Sequence, residues 1–238
     1  MSEQVTPSPL ERRSFISRIS AGVAAFAGVV AGGAATGFAP SAAAATFQPE
    51  LHEKDDWMDK IPGKHRVVFD TTTPDVLGDA LAFANNFFRA NKNDYGLKES
   101  DLAVIVIMRH RATSFAYSDA MWTKYGTHMS KRAMFTDPKT NEAPKTNLFN
   151  VAGDYTPPLP NRGNTVDSLL KLGVHLGVCS TATRGIATAI AEATGGKTDD
   201  IVKELVANLY NPNVSHMVPA GIVAVTRAQE RGYSVIGA

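Results

Sequence analysis

The chain has 238 residues, of which 44% are hydrophobic and 20% are charged, a composition typical of a globular protein with one buried core. Its 24 basic and 23 acidic residues give a formal charge of +1. This balance excludes a chain-wide electrostatic attraction to nucleic acid, and we predict no nucleic-acid partner. The single cysteine, Cys179, excludes an intrachain disulfide and any CxxC metal or redox motif.

The first 45 residues carry the features of an export signal. Arg12 and Arg13 precede an apolar stretch, residues 19–38, that contains no charged residue and is rich in Gly and Ala. An arginine pair before a weakly hydrophobic stretch, followed by the small residues 41–45, is typical of a twin-arginine signal peptide cleaved near Thr46. Such a stretch is a poor permanent anchor, and an uncleaved membrane helix is the alternative.

Cleavage at this point leaves an N-terminal extension, residues 46–64, ahead of one domain, residues 65–238. Removal of 3 of the 24 basic and 2 of the 23 acidic residues leaves 21 of each, so the mature chain is formally neutral. Twin-arginine signals direct folded proteins across the bacterial inner membrane. We therefore expect the twin-arginine export machinery as a partner, a periplasmic or otherwise exported location, and no stable membrane insertion after cleavage.

Strand and helix patterns alternate along the domain. A short apolar run, residues 65–70, is followed by Thr73, Pro74 and Asp75, which are typical of the N-cap, the first position and the first turn of a helix. Residues 101–108 form a continuous apolar run rich in β-branched residues. This pattern is expected for a central strand of a parallel sheet that is covered on both faces.

The alternation continues to the C-terminus, with three further strands predicted at residues 174–179, 214–219 and 233–236 and helices at residues 165–171, 180–194, 198–209 and 222–231. A helix is also predicted over residues 114–125. The polar stretch 126–162, which contains five prolines, is interpreted as an insertion that serves as a lid, an oligomer contact or a disordered segment. The predicted fold class is α/β: a three-layer sandwich of about five mostly parallel strands with helices on both faces.

Polar residues cluster where the predicted strands end. In an open parallel sheet these ends meet helix N-termini with unpaired N–H groups, and ligands bind there. His110 is a candidate acid/base, with a surface or capping histidine as the alternative. The candidate ligand-binding residues are Asp70, Thr71, Arg109, Arg111, Ser180, Thr181 and Gly221.

Cys179 ends the third predicted strand and precedes a helix, whose N–H groups and dipole favour a thiolate. We identify it as a candidate reactive thiol. A cysteine that acts as a small core residue is the alternative. His175 precedes it on the same strand by about 13 Å, so the two side chains cannot form a dyad.

Met, His and aromatic residues recur between Met108 and Met134, including His110 and His128, and soft ligands of this kind suit copper. Met121, Trp122 and Tyr125 nevertheless have helical spacing, which is more typical of core or subunit-interface residues. We predict no metal ligand and no cofactor. No CxxCH, HExxH, P-loop, GxGxxG or GxSxG motif is present in the sequence.

The helix predicted over residues 114–125 carries more large apolar surface than one amphipathic face needs, in Phe115, Tyr117, Met121, Trp122 and Tyr125. We expect a second copy of the chain to cover part of it, which predicts a homo-oligomer. The alternative is a monomer whose insertion folds back over this helix.

Three parts of the chain carry a resemblance to the DsrE/DsrF-like proteins of the sulfur-relay superfamily. They are residues 67–70 with the helix that follows, residues 102–113, and residues 173–179 together with 218–221 and 227–233. The Val-Pro-Ala-Gly sequence followed by a helix ending in Gln-Glu-Arg-Gly-Tyr resembles the C-terminus of the family's sulfur-oxidation members. The resemblance implies a small α/β domain that forms homo-oligomers and a cysteine that carries sulfur as a persulfide, a role open only to Cys179.

Two functional hypotheses follow. The first is an exported sulfur-handling protein in which Cys179 carries a persulfide or binds a small sulfur compound. The second is a non-catalytic module of the bacterial cell envelope that binds a small ligand, a metal or haem. Whether the chain is an enzyme stays open.

Overall fold

The structure, a computed structural model, describes residues 48–151, 155 and 159–238. The twin-arginine signal predicted over residues 1–45 lies outside the described residues. Residues 49–238 belong to one structural unit. Within the described ranges, no helix combines the length and the apolar composition needed to cross a membrane.

Five parallel strands form one sheet in the order β4-β3-β2-β1-β5. All seven residues of β2, at the centre, are buried, because helices cover both faces of the sheet. The predicted fold class, a three-layer α/β sandwich of about five parallel strands, is confirmed. The strands are β1 (His65–Thr71), β2 (Leu102–Met108), β3 (His175–Cys179), β4 (Ser215–Val218) and β5 (Ser234–Gly237).

The helices divide unequally between the two faces of the sheet. The helices are α1 (Trp57–Lys60), α2 (Pro74–Tyr95), α3 (Asp119–Ala133), α4 (Val166–Leu170), α5 (Ser180–Thr194), α6 (Thr198–Ala207) and α7 (Gly221–Glu230). Helices α2 to α6 supply the larger core on the first face. Helices α1 and α7 supply the smaller core on the second face.

The chain changes faces after β4. The connections that follow β1, β2 and β3 lie on the first face, and each leads to the next strand toward β4 at one edge of the sheet. The connection that follows β4 contains α7, lies on the second face and leads back to β5 beside β1. Crossovers between parallel strands are right-handed, so connections that run in opposite directions across a sheet lie on opposite faces of it. A crevice therefore opens at the carboxyl ends of β3 and β4, where the chain leaves the sheet toward opposite faces.

The helix predicted over residues 114–125 is displaced. Residues Ala112–Ala116 form a 3-10 turn, and α3 begins at Asp119 and continues to Ala133. Gly126 does not end the helix; it allows close packing, because a Cβ there would lie 2.3 Å from the carbonyl oxygen of Pro144. The first eight residues of the stretch predicted as an insertion, 126–133, are therefore helical.

Residues 144–149 of the insertion fold back over α3 and the turn that precedes it. The ring of Phe149 packs edge-on against Phe115 with centroids 4.8 Å apart. The Asn147 side-chain amide donates to the carbonyl oxygens of Phe115 and Tyr117 at 2.8 and 3.2 Å. The apolar surface from which a homo-oligomer was predicted, including fully buried Trp122, is thus covered within one chain. The homo-oligomer stays a prediction, but these buried side chains are not available to form its interface.

A buried arginine fastens the N-terminal extension to the second face. Arg231 donates from Nε to Asp59 and from Nη2 to the carbonyl oxygen of His52, both at 3.1 Å, and its side chain is 1% exposed. The hydroxyl of Tyr233 donates to the carbonyl oxygen of Met58 at 2.7 Å. A planar guanidinium with five N–H groups can bind carboxylate and carbonyl together. Residues 52–59 are therefore an integral part of the fold.

Trp57 covers a pair of histidines on β3 and β4. Its ring stacks on His216 at a centroid distance of 4.0 Å, and Nε2 of His216 lies 3.0 Å from Nδ1 of His175. Burial lowers the pKa of His175. Burial, aided by the neighbouring His175, lowers the pKa of His216 to about 4. Both imidazoles are therefore neutral at neutral pH.

The lowered pKa of His216 predicts that the free energy of unfolding decreases in mild acid. His216 has a pKa of about 4 in the folded protein and near 6.5 in the unfolded chain, so the unfolded state binds more protons between these values. Its contribution to stability is constant above about pH 6.5 and decreases as the pH falls toward 4. Thermal unfolding at about pH 7.5 and about pH 5 should show a smaller acid-induced drop in Tm for His216→Gln than for the wild type. The exposed His65→Gln serves as the control, and an equal drop in all three proteins would contradict the prediction.

Candidate functional site

A cavity of about 260 Å³ opens at the crevice between β3 and β4. Five residues predicted from the sequence line it together: Arg109, His110, Cys179, Thr181 and Gly221. They come from the ends of β2 and β3 and the starts of α5 and α7, because parallel strands bring their carboxyl ends to one edge. Four residues that were not predicted as site residues complete the lining: Ala182, Ala220, Ile222 and Arg132.

Cys179 lies at the N-terminus of α5. Its Sγ accepts a hydrogen bond from the backbone N–H of Ala182 at 3.4 Å, and the residue is 6% exposed in the cavity wall. The N–H groups and the positive end of the helix dipole at this helix N-terminus attract an anion that enters the cavity beside the sulfur. Thr181, beside it, donates its hydroxyl to the carbonyl oxygen of Pro219 at 3.1 Å and so joins the two sides of the crevice.

Two buried hydrogen bonds support the backbone of Cys179 from the core side. Thr183 Oγ1 donates to the carbonyl oxygen of Cys179 at 2.9 Å, and the Tyr117 hydroxyl lies 2.6 Å from Thr183 Oγ1. Since the one hydroxyl proton of Thr183 goes to the carbonyl, Tyr117 is the donor in the second bond. Burial raises the pKa of Tyr117, so its phenol stays protonated. No local sequence pattern predicts this contact, because Tyr117 and Thr183 are 66 residues apart in the chain.

An ion pair fixes Arg109 at the cavity. Its Nε and Nη2 donate to the two carboxylate oxygens of Asp70 at 2.6 and 2.8 Å, a bidentate geometry that orients the guanidinium. The hydrogen bond that Arg109 donates to Asp70 raises the pKa of Arg109. Thr71 is fully buried and donates to the carbonyl oxygen of Ile107 at 2.8 Å. Asp70 and Thr71, predicted as ligand-binding residues, therefore hold neighbouring groups in place and lie outside the cavity lining.

The remaining predicted residues take different places. His110 is exposed, adopts a left-handed φ of 54° and lines both this cavity and a larger cleft beside it. A non-glycine residue in this conformation is uncommon and marks a turn fixed by its surroundings. Arg111 lines only the larger cleft. Ser180 is half-buried at the first position of α5 and lies outside the lining of both spaces.

Arg132 is a cavity residue that the sequence analysis missed. It lies in the last turn of α3, in the stretch that was predicted to be an irregular insertion. Its guanidinium passes over α5 at Gly185, where an added Cβ would lie 3.3 Å from Nη2. A helix that continued past Gly126 would have placed Arg132 beside His128 on one helical face, but the helix was predicted to end at residue 125.

The Met, His and aromatic residues between 108 and 134 divide between the core and the larger cleft. Met121, Trp122 and Tyr125 are buried, which confirms their interpretation as core residues. His110, His128 and Met134 line the larger cleft. In the part of the chain that the structure describes, no three His, Cys, Asp or Glu side chains are grouped so that they could hold a metal ion.

Comparison of the chain with protein-family models, with curated proteins and with solved structures found no match. The functional assignment therefore depends on the groups at the carboxyl edge of the sheet. A thiol at a helix N-terminus, two guanidinium groups and an imidazole surround one small cavity. This combination can bind a small anion and present it to a nucleophilic sulfur.

Gly221 is predicted to be essential for the position of Arg109. A Cβ at this glycine would lie 2.4 Å from Cβ and 3.0 Å from Cδ of Arg109, so Gly221→Ala must displace the arginine from Asp70. We expect a loss of about 1–3 kcal/mol in the free energy of unfolding, measured by urea denaturation. Gly237→Ala is the matched control, because nothing lies within 4 Å of a Cβ there. Equal stabilities of the two variants would show that Arg109 moves without cost.

Proposed function

We propose that the protein is an exported sulfur-handling protein of the DsrE/DsrF-like kind, in which Cys179 accepts a sulfane sulfur and holds it as a persulfide. The observation that carries the proposal is the position of the chain's single thiol at a helix N-terminus, in a cavity shared with Arg109, Arg132 and His110. The resemblance of residues 173–179 and 218–221 to that family supports the same residue.

The chemistry needs only a thiolate and a donor with a sulfur–sulfur bond. The Cys179 thiolate attacks the terminal sulfur of an inorganic polysulfide, a new S–S bond forms on the protein, and the S–S bond of the donor breaks. The electron pair of that bond leaves with the polysulfide, which is one sulfur atom shorter. No external oxidant is required, because the donor supplies sulfur at the oxidation level of the product.

The charges around the cavity suit each stage of this transfer. The polysulfide, the thiolate and the persulfide product are all anions, and the guanidinium groups of Arg109 and Arg132 carry the opposite charge. The bidentate bond to Asp70 fixes Arg109 in place before the donor arrives. His110 is exposed and lines the cavity, and its imidazole can give a proton to the leaving polysulfide or accept one from the thiol.

Sulfur uptake is the direct test. Intact mass of the mature protein after incubation with polysulfide should increase by one sulfur atom, and a subsequent reductant should remove the addition. Cys179→Ser should show no increase, since the chain has no other cysteine. Arg132→Gln should retain the uptake but slow it about tenfold, because one of the cations that attract the donor is lost.

Two controls separate sulfur transfer from other thiol chemistry. Sulfide alone, which contains no sulfane sulfur, should leave the mass of the wild type unchanged. Arg89→Gln, which removes an exposed arginine remote in sequence from the cavity lining, should take up sulfur at the wild-type rate. A wild-type protein that gains no sulfur from polysulfide at any pH would end this proposal.

Export by the twin-arginine pathway is the second part of the proposal and rests on residues 11–45 of the sequence. Replacement of Arg12 and Arg13 by Lys should retain the full-length precursor in the cytoplasm of a bacterial host, whereas Arg18→Lys, outside the pair, should be exported. N-terminal sequencing of the exported wild type should begin within a few residues of Thr46. Normal export of the double variant would contradict the assignment.

A further inference from the structure

A larger cleft, with a volume of about 580 Å³, adjoins the Cys179 cavity. His110 and Arg132 line both spaces, so the two lie side by side with these side chains at their common border. The volume is within the range usual for small-molecule sites in proteins, whereas the Cys179 cavity alone is below it. An inorganic polysulfide would need only the smaller space.

The lining of the larger cleft is strongly basic. It contains three permanent cations, two histidines and a single carboxylate: Arg111, Lys131, Arg132, His110, His128 and Glu192. Among the described residues, none of the three cations lies within ion-pair distance of a carboxylate. Arg109, by contrast, forms an ion pair with Asp70. Uncompensated cations around one concave surface attract and hold anions.

The rest of the cleft is small and apolar. Ala189 and Ala193 on α5 present only methyl groups to it, and Met134, which is 70% exposed, lies at its rim. Met134 ends α3 in the left-handed conformation with φ of 52°, which fixes the chain just beyond Lys131 and Arg132. The cleft therefore offers an apolar surface flanked by charges, which suits an organic molecule with anionic groups better than a bare inorganic ion.

We infer that this cleft binds a small organic thiol, or its persulfide, that carries two or more carboxylates, with its sulfur directed past His110 and Arg132 toward Cys179. The inference that the cleft binds an anion depends only on the residues that line it. The sulfur part rests on the proposed function: the outer sulfur of the bound persulfide moves to the Cys179 thiolate, its S–S bond breaks, and the organic thiolate leaves with the electron pair.

Binding can be measured without any sulfur chemistry. S-methylglutathione, a tripeptide with two carboxylates and a blocked sulfur, should bind the wild type and Cys179→Ser with similar affinity in calorimetric titrations. Its diethyl ester, which lacks both negative charges, should bind at least about tenfold more weakly. Arg111→Gln and Lys131→Gln should each weaken binding of the parent compound about tenfold, because each removes one charged contact.

Arg89→Gln is the control, since it removes one exposed positive charge from a residue that does not line the cleft. Absence of binding, equal affinity for the diester, or an equal effect of Arg89→Gln would overturn the inference. The outcome is distinguishable from that of the proposed function. Binding by Cys179→Ser together with no sulfur uptake by the wild type would support the cleft and refute the persulfide carrier. Uptake of sulfur from polysulfide without binding of S-methylglutathione would support the persulfide carrier and refute the proposed ligand of the cleft.

Discussion

The handedness of the strand crossovers is the constraint on which the rest of the structure depends. All five strands run in one direction, so their carboxyl ends share one edge. Because crossovers between parallel strands are right-handed as a rule, the chain must change faces when it turns back after β4. The crevice produced by that change holds Cys179 on one side and Gly221 on the other. The location of the site thus follows from topology, and only its chemistry depends on the individual side chains.

The cavity side chains are held by residues that do not line the cavity. Asp70 orients Arg109, and the absence of a side chain at Gly221 leaves room for it. The Tyr117–Thr183 pair holds the backbone of Cys179 from the core side. Such support restricts the geometry of the reactive groups before any ligand arrives, which reduces the entropy lost on binding.

The parts of this structure that the sequence predicted are those set by local pattern. The continuous apolar run of β2 and the N-cap at Thr73 depend on neighbours within a few residues, and both predictions were correct. The predicted end of the helix at residue 125 was wrong, because α3 continues through Gly126, which packs closely against the distant Pro144. Because of this error, Arg132 was not predicted as a site residue. Thr71 lies outside the cavity lining, and its hydroxyl bonds the adjacent strand, a pairing that only the sheet order determines. The strand-end residues could be chosen from sequence, but not which of them face the cavity.

The bond between Arg231 and residues 52–59 joins the beginning of the domain to its end. During synthesis residues 52–59 leave the ribosome long before Arg231 and β5, which hold them. The second face of the sheet, with Met58 and Trp57 packed on it, cannot be closed until Arg231 and β5 have been synthesised. Until then the chain exposes the apolar residues of that face to chaperones and proteases.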